Sequence, residues 1–332
     1  MIKLGVIYGG ISTEHDVSEM SAKSVIDNLD KEKYDIREIY INQYGKWFEV
    51  KNGQKEEIYN LIWTLKELDV VFPVLHGLGG EDGTIQGMLE MLKVPYVGCG
   101  VLASSVGMDK VYTKIIFEKA GIPQAPYIYV KRKQDEYVII DSNFNEEEFK
   151  LEKITSKLKF PMFVKPSNSG SSVGVKKATN NEELKMAIEN AAQYDIKILV
   201  EQGIDGKEVE CAILDGKEVL ASTVGEIMSA EEFYSFDAKY NIPESKTIIP
   251  ANITEEQIEE IRKLAVRAFN SIDGKGLSRV DFFVEKGTNK IYINEINTMP
   301  GFTKISMYPK LFEAVGVSYS ELLDKLIQNA IK

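Results

Sequence analysis

The sequence predicts an α/β unit followed by α+β units, two or three domains in all, on three observations. Over residues 1 to about 108, short apolar runs alternate with amphipathic helical segments, the pattern of a small parallel sheet. From about 109 onward, proline-flanked strands, hairpin turns and longer helices follow one another, as in compact α+β domains. The 332 residues also exceed the roughly 100 to 200 that one domain usually takes.

Taken in order, KLGVIYGG reads as the first strand, SEMSAKSVIDNL as a helix and YDIREIYIN as a second strand. After an acidic, polar stretch come the strand LDVVFPVLHG and the helix TIQGMLEML. The glycine turns YGGISTEHD and HGLGGEDG both follow strand C-terminal ends, where open α/β sheets place their ligands. A helix over KVYTKIIFEKAG ends at Gly121 as its C-cap, and PQAPYIYVKR is the next strand. QDEYVIIDSNFNEEEFKLEK reads as charged and irregular. FPMFVK, VGVKKA and KILVEQGI read as strands around a helix over NEELKMAIENAAQY. The last third reads as strands EVECAILDG and KEVLASTVGEI, a polar loop from Tyr234 to Pro250 and a helix over TEEQIEEIRKLAVRAFNSI. Strands LSRVDFFVEK and KIYINEIN and a terminal helix over SYSELLDKLIQNAI complete it. The expected domain boundaries are 1–108, 109–204 and 205–332.

Composition narrows the functions. A formal charge of −11 argues against a broad surface for DNA or RNA, while a local cationic pocket for a small anion stays allowed. Cys99 and Cys211 are the only cysteines, too few for a disulfide framework or a thiolate cage, and read as reduced cysteines of a cytoplasmic protein. His15 and His76 are the only histidines, which disfavours zinc and favours oxygen ligands, hence magnesium or calcium. MIKLGVIYGG is too short an apolar run for a signal peptide, and no stretch approaches the roughly 20 apolar residues of a membrane helix. The expectation is a soluble protein that is not exported.

Two stretches could carry chemistry. KPSNSGSSVGV, residues 165–175, bends tightly and offers N–H and hydroxyl donors, which suits gripping an anion. A solvated hairpin loop has the same composition. Lys165 ends an apolar strand and so has a rigid base from which to aim at a phosphate. Lys110 in GMDK and Lys239 in DAKY are two further lysines in distinctive segments. The second stretch is the hairpin SRVDFFVE and KIYINEIN around a KGTN turn. Strand periodicity puts Arg279 and Asp281 on one face, and Glu295 and Asn297 on one face of the partner. Val280, Phe282, Ile293 and Ile296 fall opposite, with the alternation imperfect at Phe283. Polar faces pointing the same way would bring two carboxylates and an amide oxygen together beside a guanidinium, the donors that phosphoryl transfer places around Mg²⁺. A half-exposed sheet with a salt bridge is the other reading. In TMPGFT, the turn at Pro300 and Gly301 could present an N–H to an oxyanion or be an ordinary turn. GCGVLA at 98–103 fits G-x-G-x-x-A but lacks the acidic residue on a following strand, and no Walker loop is present. A nucleotide here needs another fold.

Through GGISTEHDVS, FPVLHGLGGEDGTIQG, MDK, FVKPSNSGSSVGV, AKY, SRVDFF and INEINTMPGFT, in that order, the chain resembles the D-alanine–D-alanine ligases of the ATP-grasp superfamily over essentially its whole length. The resemblance implies a three-domain ATP-grasp architecture: an N-terminal parallel-sheet (pre-ATP-grasp) domain on the substrate side, a central ATP-grasp domain, and a C-terminal ATP-grasp domain with the metal and oxyanion site. It implies ATP-dependent ligation of two D-alanines for peptidoglycan precursor synthesis. The carboxylate of the first attacks the γ-phosphate to give an acyl phosphate, and the amine of the second attacks that carbonyl. It implies Lys110, Lys165, Ser172 and Lys239 at the phosphates, and Glu201, Ile204 and Glu208 around adenine and ribose with Phe233 and Phe283 stacking nearby. Asp281, Glu295 and Asn297 match ligands of two Mg²⁺ ions, for which Mn²⁺ is a substitute. Arg279 and the Gly301 N–H correspond to oxyanion-stabilising groups. Glu14 would hold the first amino group and, with Ser171 and Tyr240, form a trio that orients substrate and closes the lid. His76 would lie near the first substrate and Ser306 near the second carboxylate. The resemblance also implies a cytoplasmic homodimer through the N-terminal domain, with D-alanine and ATP as partners and neither nucleic acid nor membrane.

The chain departs from the family pattern after PGFT, where KIS replaces a common Ser-His-Ser run and Met307 stands where leucine is usual. Both positions lie by the implied second-substrate pocket, which keeps a D-alanine–D-serine ligase as an alternative. The Lys239–Tyr240 pair disfavours D-lactate. A non-catalytic ATP-binding protein on the same scaffold is the remaining alternative; loss of a metal ligand or of Arg279 would mark it, and all are present.

Overall fold

The computed structural model describes residues 1–228 and 246–332. Phe233, Lys239 and Tyr240, and most of the expected lid at 229–250, lie outside the described residues. Three sheets organise the rest.

In the first sheet, β1 (Ile2–Gly9) lies between β2 (Tyr34–Ile41) and β5 (Val70–Pro73) and runs parallel to both. The acidic stretch between β2 and β5 adds an antiparallel hairpin, β3 (Trp47–Lys51) and β4 (Gln54–Glu57), and a short helix α2 (Leu61–Lys66). Sequence periodicity misses them because β4 is exposed along its whole length and so shows no alternation. Helix α1 (His15–Asn28) sets Ala22 and Val25 against Leu4, Val6 and Phe72 on one face of the sheet. Leu65 of α2 and Ile85 and Leu89 of α3 (Thr84–Leu92) cover Ile7, Ile39 and Val71 on the other.

Helices α4 (Val101–Met108), which the sequence reading did not foresee, and α5 (Lys110–Lys119) lead to the second sheet. Here β6 (Tyr127–Lys133), β7 (Glu136–Ile140), β8 (Glu146–Glu148), β9 (Met162–Pro166), β10 (Lys176–Ala178) and β11 (Lys197–Gln202) are antiparallel in the order β10-β9-β11-β6-β7-β8. The segment expected to be irregular at 134–153 is ordered after all: it supplies β7, β8 and helix α6 (Leu151–Thr155), anchored by buried Ile139 and Ile154. Helix α7 (Asn181–Ala191), capped by the Asn180 side chain, covers the same face with Leu184, Ala187, Ile188 and Ala191.

The third sheet has the order β14-β13-β12-β15-β16, all antiparallel: β12 (Gly206–Leu214), β13 (Leu220–Met228), β14 (Lys246–Ile248), β15 (Leu277–Glu285) and β16 (Ile291–Asn297). Helix α8 (Glu255–Ser271) begins with a capping box of Thr254 and Gln257. Its apolar stripe, Ile258, Ile261, Leu264, Ala265, Ala268 and Phe269, lies on Val209, Cys211, Val280, Phe282 and Ile293. The opposite face is therefore free to carry polar side chains.

The first and third sheets share one core. Phe72 of β5 meets Phe302 edge-on with ring centroids 5.4 Å apart. Tyr308 and Phe312 of α9 (Met307–Glu313) and Leu322, Leu323, Leu326 and Ile327 of α10 (Tyr319–Ile331) join the cluster containing Leu4 and Val6. Near this seam the decoy turn GCG finds its use. Gly98 has φ +116° and Gly276 φ +69°; a Cβ on Gly98 would lie 2.9 Å from Met299 Cε, and one on Gly276 2.9 Å from the Gly98 nitrogen. These glycines allow two backbones to touch. Among the described residues, no helix is long and apolar enough to cross a membrane.

Candidate active site

The two glycine turns after β1 and β5 are tied into one wall. Ser18 Oγ accepts from the Gly9 N–H at 2.8 Å and donates to the Val74 carbonyl at 2.5 Å, while Ser12 Oγ donates to the His76 carbonyl at 2.7 Å. This holds Glu14, immediately before α1, and His76 over the same space. His76 is buried, with Nδ1 3.2 Å from the Met299 carbonyl and Nε2 3.0 Å from Ser21 Oγ. Burial opposes its protonation, but Glu81, Glu14 and the Met299 carbonyl prevail and raise its pKa above 6.5.

Opposite stands the Ser/Gly loop that follows β9. Its base is clamped to the start of α5. Ser167 Oγ donates to Asp109 at 2.5 Å and accepts from the Val111 N–H at 3.0 Å, and Lys197 reaches the other Asp109 oxygen. Asp109 also caps α5 through the Tyr112 N–H. Lys110 Nζ then reaches the Ser169 carbonyl at 2.7 Å and lies 4.0 Å from Glu295. Ser171 and Ser172 take left-handed φ values of 48° and 61°, unusual for residues with a side chain. They turn the loop tip towards the first wall, where Ser171 Oγ donates to Glu14.

Between the walls runs a buried chain of charges. Glu201 of β11 accepts from Lys165 Nζ at 2.8 Å through one oxygen and pairs with Lys114 Nζ through the other. Burial alone would raise the Glu201 carboxyl, but the two lysines prevail and hold it below the usual range. Burial likewise opposes the charge of Lys165, and Glu201 outweighs it.

The floor is the β15–β16 hairpin. Asp281 pairs with Glu295 and Arg279 with Asn297 across the ladder, so the polar faces do coincide. Arg279 grips both oxygens of Asp281 at 2.7 Å each and pairs with Glu210 of β12 at 3.0 Å. Beside Phe283, where the sequence alternation is imperfect, the register does shift, between Asp281 and Phe282, while Phe283 itself lines the cavity. The irregularity sits on β16, where the register slips past Asn294 and lets both Ile293 and Ile296 reach the core.

These parts enclose a cavity of about 550 Å³. Glu14, His76, Lys110, Lys165, Ser171, Ser172, Glu201, Ile204, Glu208, Arg279, Phe283, Glu295, Asn297 and Gly301 all line it. Three expected residues are placed otherwise. Asp281 is buried with its carboxylate turned to Arg279. Ser306 Oγ is bound within its own turn to Thr303. Met307 packs into the core against Gly225, because it opens α9 on the inward side. Lys114, Glu210 and Asn294 were missed. Lys114 lies one helical turn beyond Lys110, and Glu210 alternates with buried Val209 and Cys211, so spacing alone could have pointed to both. Cys99 and Cys211 are free and buried, and burial pushes each thiol up to about 12. Neither is a nucleophile near neutral pH.

Comparison with known proteins agrees along the whole chain. Family models described as "D-ala D-ala ligase N-terminus" and "D-ala D-ala ligase C-terminus" match residues 3–99 and 116–328. The D-alanine–D-alanine ligase of Acetivibrio thermocellus is 50% identical, covering 98% of this chain and 95% of the relative. That of Ruminiclostridium cellulolyticum is 49% identical over 99% and 95%. The solved D-alanine–D-alanine ligase of Coxiella burnetii superposes with a TM-score of 0.83 at 32% identity, covering 100% of this chain and 95% of that one. The VanG D-Ala:D-Ser ligase of Enterococcus faecalis gives 0.85 at 35% identity, covering 99% of each. The fold is thus that of an ATP-grasp enzyme, and the chain is an ATP-dependent ligase. The chain belongs to the D-alanine–D-alanine ligase family.

Proposed function

We propose that the protein joins two D-alanines in a cytoplasmic, ATP-driven reaction that supplies the dipeptide for peptidoglycan precursors. The observation that carries this reading is the convergence of Glu14, Lys110, Lys165, Arg279 and Glu295 on one cavity. The curated relatives at 46–50% identity named above and beside them are D-alanine–D-alanine ligases, whereas the D-Ala:D-Ser neighbour is 35% identical, which favours D-alanine as the acceptor. The family reading adds a homodimer through the N-terminal domain, which light scattering of the purified protein tests.

In this reading Glu14 takes the ammonium of the first D-alanine, with its free carboxylate aimed at the γ-phosphate. Lys110 and Lys165 draw charge from the phosphates as the new P–O bond forms and ADP leaves. The second amine then attacks the acyl phosphate carbonyl, and collapse of the tetrahedral centre expels phosphate. Arg279 and the Gly301 N–H face that developing oxyanion. The loop at 167–175, already resting on Glu14, keeps water from the acyl phosphate. Glu295 and Asn297 line the cavity with hard oxygens that fit Mg²⁺, and Asp281, the third expected ligand, would join them only on release from Arg279, which grips both its oxygens. Those residues would hold the metal, which supplies charge neutralisation at the transferring phosphoryl group. Lys239, Tyr240 and Phe233 keep the parts given by resemblance.

The test is ATP-dependent phosphate release with D-alanine, D-serine, D-lactate and L-alanine, with products identified by mass. D-alanyl-D-alanine from D-alanine is expected. A mixed product preferring D-serine would move the specificity, and ATP binding without release on any substrate would overturn the ligase reading for this chain.

A further inference from the structure

Lys114 has no place in the chemistry above, yet it is among the most deeply buried lysines of the fold, with 3% of its side chain exposed. It does not line the main cavity. It ends instead on the far oxygen of Glu201, whose near oxygen holds Lys165. We propose that Lys114 is a positioning residue: by serving as the second counter-ion of Glu201, it leaves the charge of Lys165 available to a nucleotide phosphate. This rests on reading the cavity as the nucleotide site.

The reasoning is one of charge and geometry. Burial lowers the pKa of Lys114 against the pull of Glu201; with both lysines protonated, the two lysines and one carboxylate carry a net charge of +1 beneath the cavity. Without Lys114 the remaining pair is neutral, and Lys165 becomes the sole partner of a buried carboxylate, which holds it back from any ligand. Lys114 also fixes direction. A carboxylate held from both sides cannot swing, so Lys165, 3.4 Å from Asn294 Oδ1 as well, keeps one aim. An apolar residue of the same length would fill the space without doing either.

The experiment measures calorimetric affinities of the full-length protein for ATP, ADP and adenosine at fixed salt and Mg²⁺. In Lys114→Met, ATP and ADP should bind about tenfold or more weakly while adenosine stays within about twofold, since the lost charge acts on phosphate. Lys114→Arg should regain most of the ATP affinity. An equal loss for adenosine and ATP, or no loss, overturns the inference. Should Lys114→Met fail to fold, Lys114→Gln, neutral but able to hydrogen-bond Glu201, is measured in its place; a lowered ratio of ATP to adenosine affinity is then expected, and a wild-type ratio overturns the inference. Wild-type protein that binds adenosine but not ATP would overturn the nucleotide reading itself, and this inference with it.

Discussion

Asn294 has no partner across the ladder from β15, and that one unpaired position explains how a strand with isoleucines at 293 and 296 can bury both while presenting Glu295 to the cavity. Glu295 then stands where charge must be managed. Glu295→Gln keeps the shape but removes the charge and turns one acceptor oxygen into an NH₂ donor, so turnover should fall by about 10³ with the melting temperature nearly unchanged. Wild-type-like turnover in the folded variant would remove Glu295 from the mechanism. His76 gives a pH prediction. Its pKa is raised in the folded state, so its contribution to stability is fully present below pH 6.5 and declines as pH rises through the folded value. The difference in melting temperature between wild type and His76→Gln should therefore shrink as pH rises above 6.5. A constant difference would show that His76 acts only through packing.

Among the elements, the loop after β9 depends on Gly174, whose φ is +75° and whose missing Cβ would lie 2.6 Å from the Tyr194 ring and 2.7 Å from Pro166. Gly174→Val should misplace the loop and lower kcat/KM by about 10- to 100-fold, with little loss of thermal stability because no core cluster contains it. A variant that loses stability without losing kcat/KM would contradict this. The same loop and the β15–β16 hairpin were the most legible parts of the sequence, because strand period and turn chemistry agreed there. The β3–β4 hairpin was not legible, since β4 buries nothing and exists through its ladder to β3. Helix α4 was hidden behind a glycine pattern that imitates a nucleotide turn. At the site, the residues that face the ligand space could be named from motifs, whereas Lys114 and Glu210 act on other side chains from strands and helices far apart in sequence. Their partners are visible only once the sheets are assembled.

For the molecule as a whole, the shared core of the first and third sheets sets the terms of stability. Leu322, Leu323, Leu326 and Ile327 of α10 are all buried in it, each worth roughly 1.5–3 kcal/mol, against a total stability of roughly 5–15 kcal/mol for a typical fold. Truncation after Gly316 should therefore unsettle β1 and β5, roughly 310 and 250 residues away in sequence, and not merely fray the C-terminus. Hydrogen exchange on the truncated chain should find the β1 amides unprotected. Protection equal to wild type in β1 would show that the first sheet stands alone. The arrangement also has a consequence during synthesis. A ribosome adding roughly 5–20 residues per second releases β1 long before α10, so the first sheet waits through that interval with one apolar face uncovered. The newborn chain is thus exposed to chaperone capture and to aggregation until α10 emerges.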